Sequence, residues 1–437
     1  MLVISLFFFA IALFSYCRHK SVYHPIFVFA LLWFIILFLD YLNLYRLYRS
    51  HTMTYLVIFL GVLFFCIGVS LSYFFNGFVK NSRQYKCLTS IRRAPFFALL
   101  GLTIILLLYP AIKNLFGVLN GEISFFDIRD SFGNPYSNKL LQLIYNYIAT
   151  PFSNACLPIV AVIIISEKDK KTRRASFLGI IVLLLLRILA DAGRGIIIYF
   201  LVMLAFSYFI NKNKKEVKNS SSKRIKKYLI FFVAVSTLLY LFVTILRGAK
   251  GTSSILKQVY VYICGCVPFL DYNLTLISES GIQLFGFGGL RGPFEFLFTT
   301  LENIGIVNYP ELMISSDFWY NNALETIQIG DTSVFNAYAT LFYNVFLDGG
   351  FFSLIVEMAL YGLICGVLFL RVKNNKNDLR IKAVYLYVLY GLVFSFVRFQ
   401  FSLSSHFLAF IMIALLFKKK GRFAYESTAN KCCLSSW

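Results

Sequence analysis

Runs of about 20 apolar residues recur along the whole chain. They predict helices over 2–17, 24–45, 54–75, 94–116, 140–166, 177–193, 194–210, 228–246, 350–371, 383–399 and 402–417. A backbone crossing lipid must satisfy its own hydrogen bonds, as helix or closed barrel, and these runs are continuous rather than alternating. The pattern therefore predicts an all-α, polytopic membrane protein with about eleven transmembrane helices. One long interval, 247–338, breaks the rhythm. It opens with RGAKGTSS, carries GFGGLRGPFEF and the aromatic run Phe318, Trp319, Tyr320, and closes with DTSVFNAY. The chain thus divides into 1–246 (eight spans with short loops), 247–349 (a large external loop with interfacial helices) and 350–437 (three spans and a basic tail).

Composition agrees with this division, since 59% of the 437 residues are hydrophobic and 14% charged, far from a soluble domain. A formal charge of +22 would point to nucleic acid in a soluble chain. Here the cations belong to alternate connections: Arg18 and Lys20; Lys80 to Arg93; Lys168 to Arg174; Lys212 to Lys227; Arg371 to Lys382; and the tail KKKGR. Strict alternation puts all of these on the cytoplasmic side, with the N-terminus outside, the C-terminus inside and the interval 247–338 facing out. The 212–227 tether then reads as a solvated anchor, and no nucleic-acid partner is implied. No cytoplasmic connection is long enough for a nucleotide-binding domain. GAKGTS at Gly248 lacks the spacing of a phosphate loop. The first apolar run has its charges after it, the reverse of a cleavable signal peptide. Of nine cysteines, Cys264 and Cys266 are too close for an easy disulfide, and no histidines accompany them, so neither a disulfide framework nor a zinc site is indicated.

Chemistry enters through polar residues in apolar surroundings. Arg187 lies well inside an apolar helix, so it should face the bundle interior, with Asp191 one turn later on the same face as its neutralising partner. Arg194 stands between glycines in the turn that follows. Arg247 ends a span, and Arg291 sits in GFGGLRGP. Guanidinium groups stay charged and offer a planar fork that suits a diphosphate at a membrane surface. Outward acids, among them Asp127, Asp130, Asp271, Glu295, Glu302, Asp331 and Asp348, include potential general bases. Tyr260, Tyr262, Phe294, Phe296, Trp319 and Tyr320 are of the type that stacks on sugar rings or packs at an interface. Glu357 and Arg398 lie in the late spans, close enough in depth to pair with each other. No DxD pair supports a metal-bound nucleotide-sugar donor, and no His, Cys and carboxylate cluster has metal-ligand spacing.

DAGRG between two spans, the span ending in Arg247, the long loop with its Gly/Phe-rich segment, and SVFNAYATLFYNVFLDGGFFSLIVEMALYGLICG resemble the Wzy-type O-antigen and capsule repeat-unit polymerases. The likeness covers roughly 177–370; before that the chain matches as a generic set of spans. It implies a GT-C-like glycosyltransferase of the bacterial cytoplasmic membrane. Its substrates would be undecaprenyl-diphosphate-linked oligosaccharides, it would use no metal or other cofactor, and it would work in the bilayer with a chain-length regulator protein as a further partner. Arg194 and Arg247 would hold the donor diphosphate as it leaves. Asp348 would join them as a catalytic group, and Arg187, Asp191, Arg291, Asn336 and Trp319 would contact substrate. O-antigen ligases carry a histidine in the external loop, and none lies between Arg247 and Tyr338, which favours polymerase over ligase. The rival reading from another class is a lipid-oligosaccharide flippase. Transporters show internal repeats, and the long loop has no counterpart in the first half.

Overall fold

The computed structural model describes residues 1–79, 86–122, 128, 135–167, 169–191, 193, 195–211, 252–336, 339–375 and 377–423. Each apolar run within those residues forms a helix. The first half contains α1 (Leu2–His19), α2 (Pro25–Leu42), α3 (Thr52–Val79), strand β1 (Lys86–Ile91), α4 (Arg93–Leu119), α5 (Lys139–Ser166), α6 (Lys170–Asp191) and α7 (Gly195–Asn211). Local chemistry sets several of their ends. Pro25, whose missing N–H costs nothing at a first turn, opens α2, and Asn43 in a left-handed conformation closes it. The Asn138 side chain caps α5 by accepting from the amides of Leu140 and Leu141. The predicted span 228–246, the tether 212–227, Arg194 and Arg247 lie outside the described residues.

The segment 247–349 is largely helical among its described residues. It holds α8 (Thr252–Cys264) and α9 (Cys266–Ser280), then α10 (Arg291–Asn303), α11 (Glu311–Asn322), a two-stranded ribbon of β2 (Ile327–Gly330) and β3 (Ser333–Phe335), and α12 (Thr340–Leu347). The chain continues through α13 (Gly350–Asn374), α14 (Leu379–Val393), a 3-10 turn at Gln400–Ser402, α15 (Ser404–Leu415) and strand β4 (Phe417–Phe423), which pairs antiparallel with β1.

Among the described residues, seven helices are long and apolar enough to cross a membrane: Leu2–His19, Pro25–Leu42, Thr52–Phe75, Arg93–Leu119, Lys139–Ser166, Leu256–Ser280 and Gly350–Asn374. Six coincide with predicted spans. The seventh, Leu256–Ser280, falls inside the interval read as a loop, and its mean hydropathy of 1.3 is the lowest of the set. Its apolar residues serve packing at the ends of neighbouring helices. The Tyr260 hydroxyl donates to the Leu39 carbonyl at 2.7 Å, and Asp271 accepts from the backbone and ring of His51, both at 2.9 Å. α6 carries more charge than a typical span, and α7, α14 and α15 are shorter than one.

The basic connections among the described residues gather at one end of the bundle. There the Tyr385 hydroxyl donates to Tyr23 O at 2.5 Å and the Arg92 amide to Leu416 O at 2.8 Å. Thr89 donates to Asp378 at 2.9 Å, Arg93 pairs with Asp169 at 2.8 Å and Lys382 reaches Asn211 at 2.5 Å. The long interval occupies the opposite end. α14 is buried on every side and contributes to two apolar cores, one built with α1–α3, α8, α9, α12 and α13, the other with α4–α7 and α15. A helix apolar all round belongs at the centre of a bundle. α3 and α13 approach most closely: a side chain at Gly362 would sit 2.1 Å from the Phe65 carbonyl, and one at Gly68 1.9 Å from the Ala359 carbonyl. Small residues permit such contact between helices in lipid, where packing supplies the attraction.

Candidate functional site

α14 has 15 residues and rises about 22 Å, less than the roughly 30 Å of hydrocarbon a span must cross. A polar turn follows it, and elements of the segment 247–349 cover that turn. The Leu341 amide donates to Ser395 O at 2.8 Å, and Arg291 reaches Ser402 O at 3.3 Å.

The glycine-rich segment between α9 and α10 wraps around Asp348. The Gly288 and Gly289 amides donate to its two carboxylate oxygens, each at 2.7 Å, and the Phe285 amide donates to its carbonyl at 3.0 Å. The space beside both glycines is already taken. A side chain at Gly288 would lie 2.5 Å from Asn344 O, and one at Gly289 2.6 Å from a Glu357 carboxyl oxygen. Asp348 is 3% exposed, whereas Glu357, within hydrogen-bonding reach of it, is partly open. Burial pushes the Asp348 carboxyl above the usual range, against the pull of the Gly289 and Gly288 amides. Two carboxyls this close do not both ionise; the singly ionised pair shares one proton and can accept a second.

Beside the pair lies an arginine cluster. Arg291, at the start of α10, donates from Nε and a terminal nitrogen to Asp317 at 2.9 and 2.6 Å, and from its other nitrogen to Glu295 at 3.1 Å. Its guanidinium lies 4.3 Å above the Tyr320 ring, and Arg398 donates to the Tyr320 hydroxyl at 2.8 Å. Tyr309 completes the cluster, donating to Asp317 at 2.8 Å. Burial works against the Arg291 charge, yet Glu295 and Asp317 outweigh it and raise its pKa. Burial likewise raises the Tyr309 hydroxyl.

A second polar group sits within the other core. Arg187 donates from Nε to Asp191, as their spacing predicts, and from a terminal nitrogen to Ser153 at 2.7 Å. The second Asp191 oxygen has no hydrogen-bond partner among the described residues. α5 connects the two groups: beyond Ser153 its residues Tyr145–Ala149 form a π-turn, and Tyr147 meets Phe296 of α10 with ring centroids 5.5 Å apart. Such turns recur at functional sites, where the added residue re-aims the helix face.

Among the predicted site residues, the structure brings Asp348 and Arg291 to one region and keeps Arg187 with Asp191 in another. Trp319 is buried in the apolar core, where its carbonyl accepts from Tyr343 at 2.7 Å. Its neighbour Tyr320 is the ring held between two arginines. Asn336 follows β3 and is exposed. The expected pairing of Glu357 with Arg398 is not what forms: Glu357 meets Asp348, and Arg398 meets Tyr320. Sequence reasoning left Asp317, Tyr309 and Glu357 out of the site; the available signal for Glu357 was an acid inside an apolar run. Cys17, Cys66, Cys156, Cys264, Cys266 and Cys365 are free. The chain matches no family model, no curated protein and no solved structure.

Proposed function

We propose that this chain is a membrane glycosyltransferase of the cytoplasmic membrane that polymerises undecaprenyl-diphosphate-linked oligosaccharide repeat units into a surface polysaccharide. The observation that carries the reading is the Asp348–Glu357 carboxyl pair under a glycine-rich loop, at the end of the helical bundle away from the basic connections. In this reading that end faces out. An acceptor hydroxyl at the non-reducing end of one repeat unit attacks the anomeric carbon of the other glycan. The bond from that carbon to the diphosphate oxygen breaks, and the electron pair leaves with undecaprenyl diphosphate. The hydroxyl proton passes to the carboxyl pair through Glu357, the more open partner.

Arg194 and Arg247 take the diphosphate, stabilising charge where it develops, and no metal or nucleotide takes part. Arg291 is neutralised by Asp317 and Glu295, so it positions the Tyr320 ring and the first turn of α10 rather than gripping an anion. In this reading Arg187 and Asp191 lie on the donor side, and Asn336 and Trp319 on the sugar side. In this reading the site lies below the membrane surface, which suits a substrate whose lipid remains in the bilayer.

The test separates guanidinium geometry from charge. In cells carrying Arg194→Lys or Arg247→Lys at normal protein levels, glycans should stop mostly at single repeat units, because lysine lacks the planar fork. Near-normal polymer from both variants would remove the diphosphate grip from this account. Accumulation of intermediates on the inner face in cells lacking the protein would indicate a flippase instead.

A further inference from the structure

Between α1 and α3, at the end of the bundle remote from the carboxyl pair, lies a slot for which the proposed reaction has no use. The two helices touch where the Phe7 and Phe8 rings lie 5.7 and 6.2 Å from Phe59. They then part, and rejoin where His19 stacks on Tyr73 at 5.3 Å. The gap is a cavity of about 880 Å³ whose walls include Ala10, Ile11, Leu63, Cys66 and Ser70. Its flank opens outward, with Phe14 65% and Phe74 71% exposed.

The closed end is polar and basic. His24 is fully buried, with one ring nitrogen hydrogen-bonded to Ser15 and the other to Tyr73, both at 2.9 Å. It thereby fixes Tyr73 in the wall of the slot. Arg18 lines the slot, and Lys20 caps α1 in a left-handed conformation. Lys373 stands one turn beyond Phe369, whose ring meets His19 edge-on at 6.4 Å. No carboxylate lines the slot among the described residues.

We infer that this slot binds an anionic phospholipid, with an acyl chain between α1 and α3 and the phosphate at Arg18. Hydrocarbon replaces nothing polar along the apolar walls. The phosphate gains charge-assisted hydrogen bonds from the guanidinium at the end where basic connections already favour anionic lipid. The inference does not rest on the proposed reaction, whose residues lie at the other end.

The test uses the full-length protein, delipidated in detergent and titrated with phosphatidylglycerol or phosphatidylcholine, with bound lipid counted by native mass spectrometry. Phosphatidylglycerol should be retained at least about fivefold more tightly, the size of one basic contact near a membrane surface. Arg18→Gln should bring that ratio close to one and Arg18→Lys should keep most of it. Ser70→Phe, which fills the groove, should reduce retention of both lipids. Equal retention by the unaltered protein, a ratio that Arg18→Gln leaves unchanged, or a second copy of the chain occupying the face without lipid would each overturn the inference.

Discussion

Glu357 and Asp348 face each other across the junction of two helices, with Gly349 and Gly350 between them in sequence. Asp348 is the brace, because its oxygens receive the Gly288 and Gly289 amides; Glu357 is the member that solvent or substrate can reach. The two should therefore fail differently. Glu357→Gln keeps shape and hydrogen bonding but removes the carboxyl through which the proton passes, so polymer formation should fall about 100-fold with little change in thermal unfolding. Asp348→Asn turns an amide donor toward one of the glycine amides, which should cost about 1–3 kcal/mol of stability as well as activity. Polymer yield and unfolding in detergent check both, and full activity in Glu357→Gln would remove it from the chemistry. Arg187 and Asp191 were legible as a pair because a four-residue spacing stacks side chains on one helix face. Asp317 and Tyr309 were not, since α11 meets Arg291 only through the fold. Nor was the choice between Trp319 and Tyr320, because adjacent helical residues point about 100° apart and only tertiary packing decides which faces the core.

Among the elements, the described helices outside 247–349 were legible from their apolar runs, because lipid and core both demand the same continuous pattern. Inside it α10, α11 and α12 were not, and two further features were missed. The α8–α9 helix is apolar to pack on the ends of α2 and α3, and hydropathy does not distinguish that use from lipid contact. The helix predicted over 383–399 stops at Val393, where the turn is held from above by the long interval. The close packing of α3 on α13 is testable with a matched pair of glycines. Gly362→Leu would drive a side chain into the Phe65 carbonyl, and it should abolish recovery of folded protein. Gly101→Ala on α4 meets nothing within 4 Å, and it should leave stability unchanged or raise it by up to about 1 kcal/mol. Equal behaviour of the two in detergent unfolding would contradict this packing.

Across the whole molecule, the alternating basic connections were the most informative signal in the sequence, and the structure collects those it describes at one end. Cysteines introduced at Ser280 and Lys418, at opposite ends of the bundle, should react with a membrane-impermeant reagent from opposite faces; labelling from the same face would remove the basis for an external site. The division into two apolar cores around α14 was not legible, because a helix buried on all sides and one crossing lipid have the same composition. The decisive measurement gives purified protein a defined undecaprenyl-diphosphate-linked repeat unit in the presence of a strong chelator. A ladder of multimers should form, with one undecaprenyl diphosphate released per new linkage. Recovery of the repeat unit unchanged, or a ladder that appears only when Mg²⁺ or Mn²⁺ is restored, would contradict the proposed function.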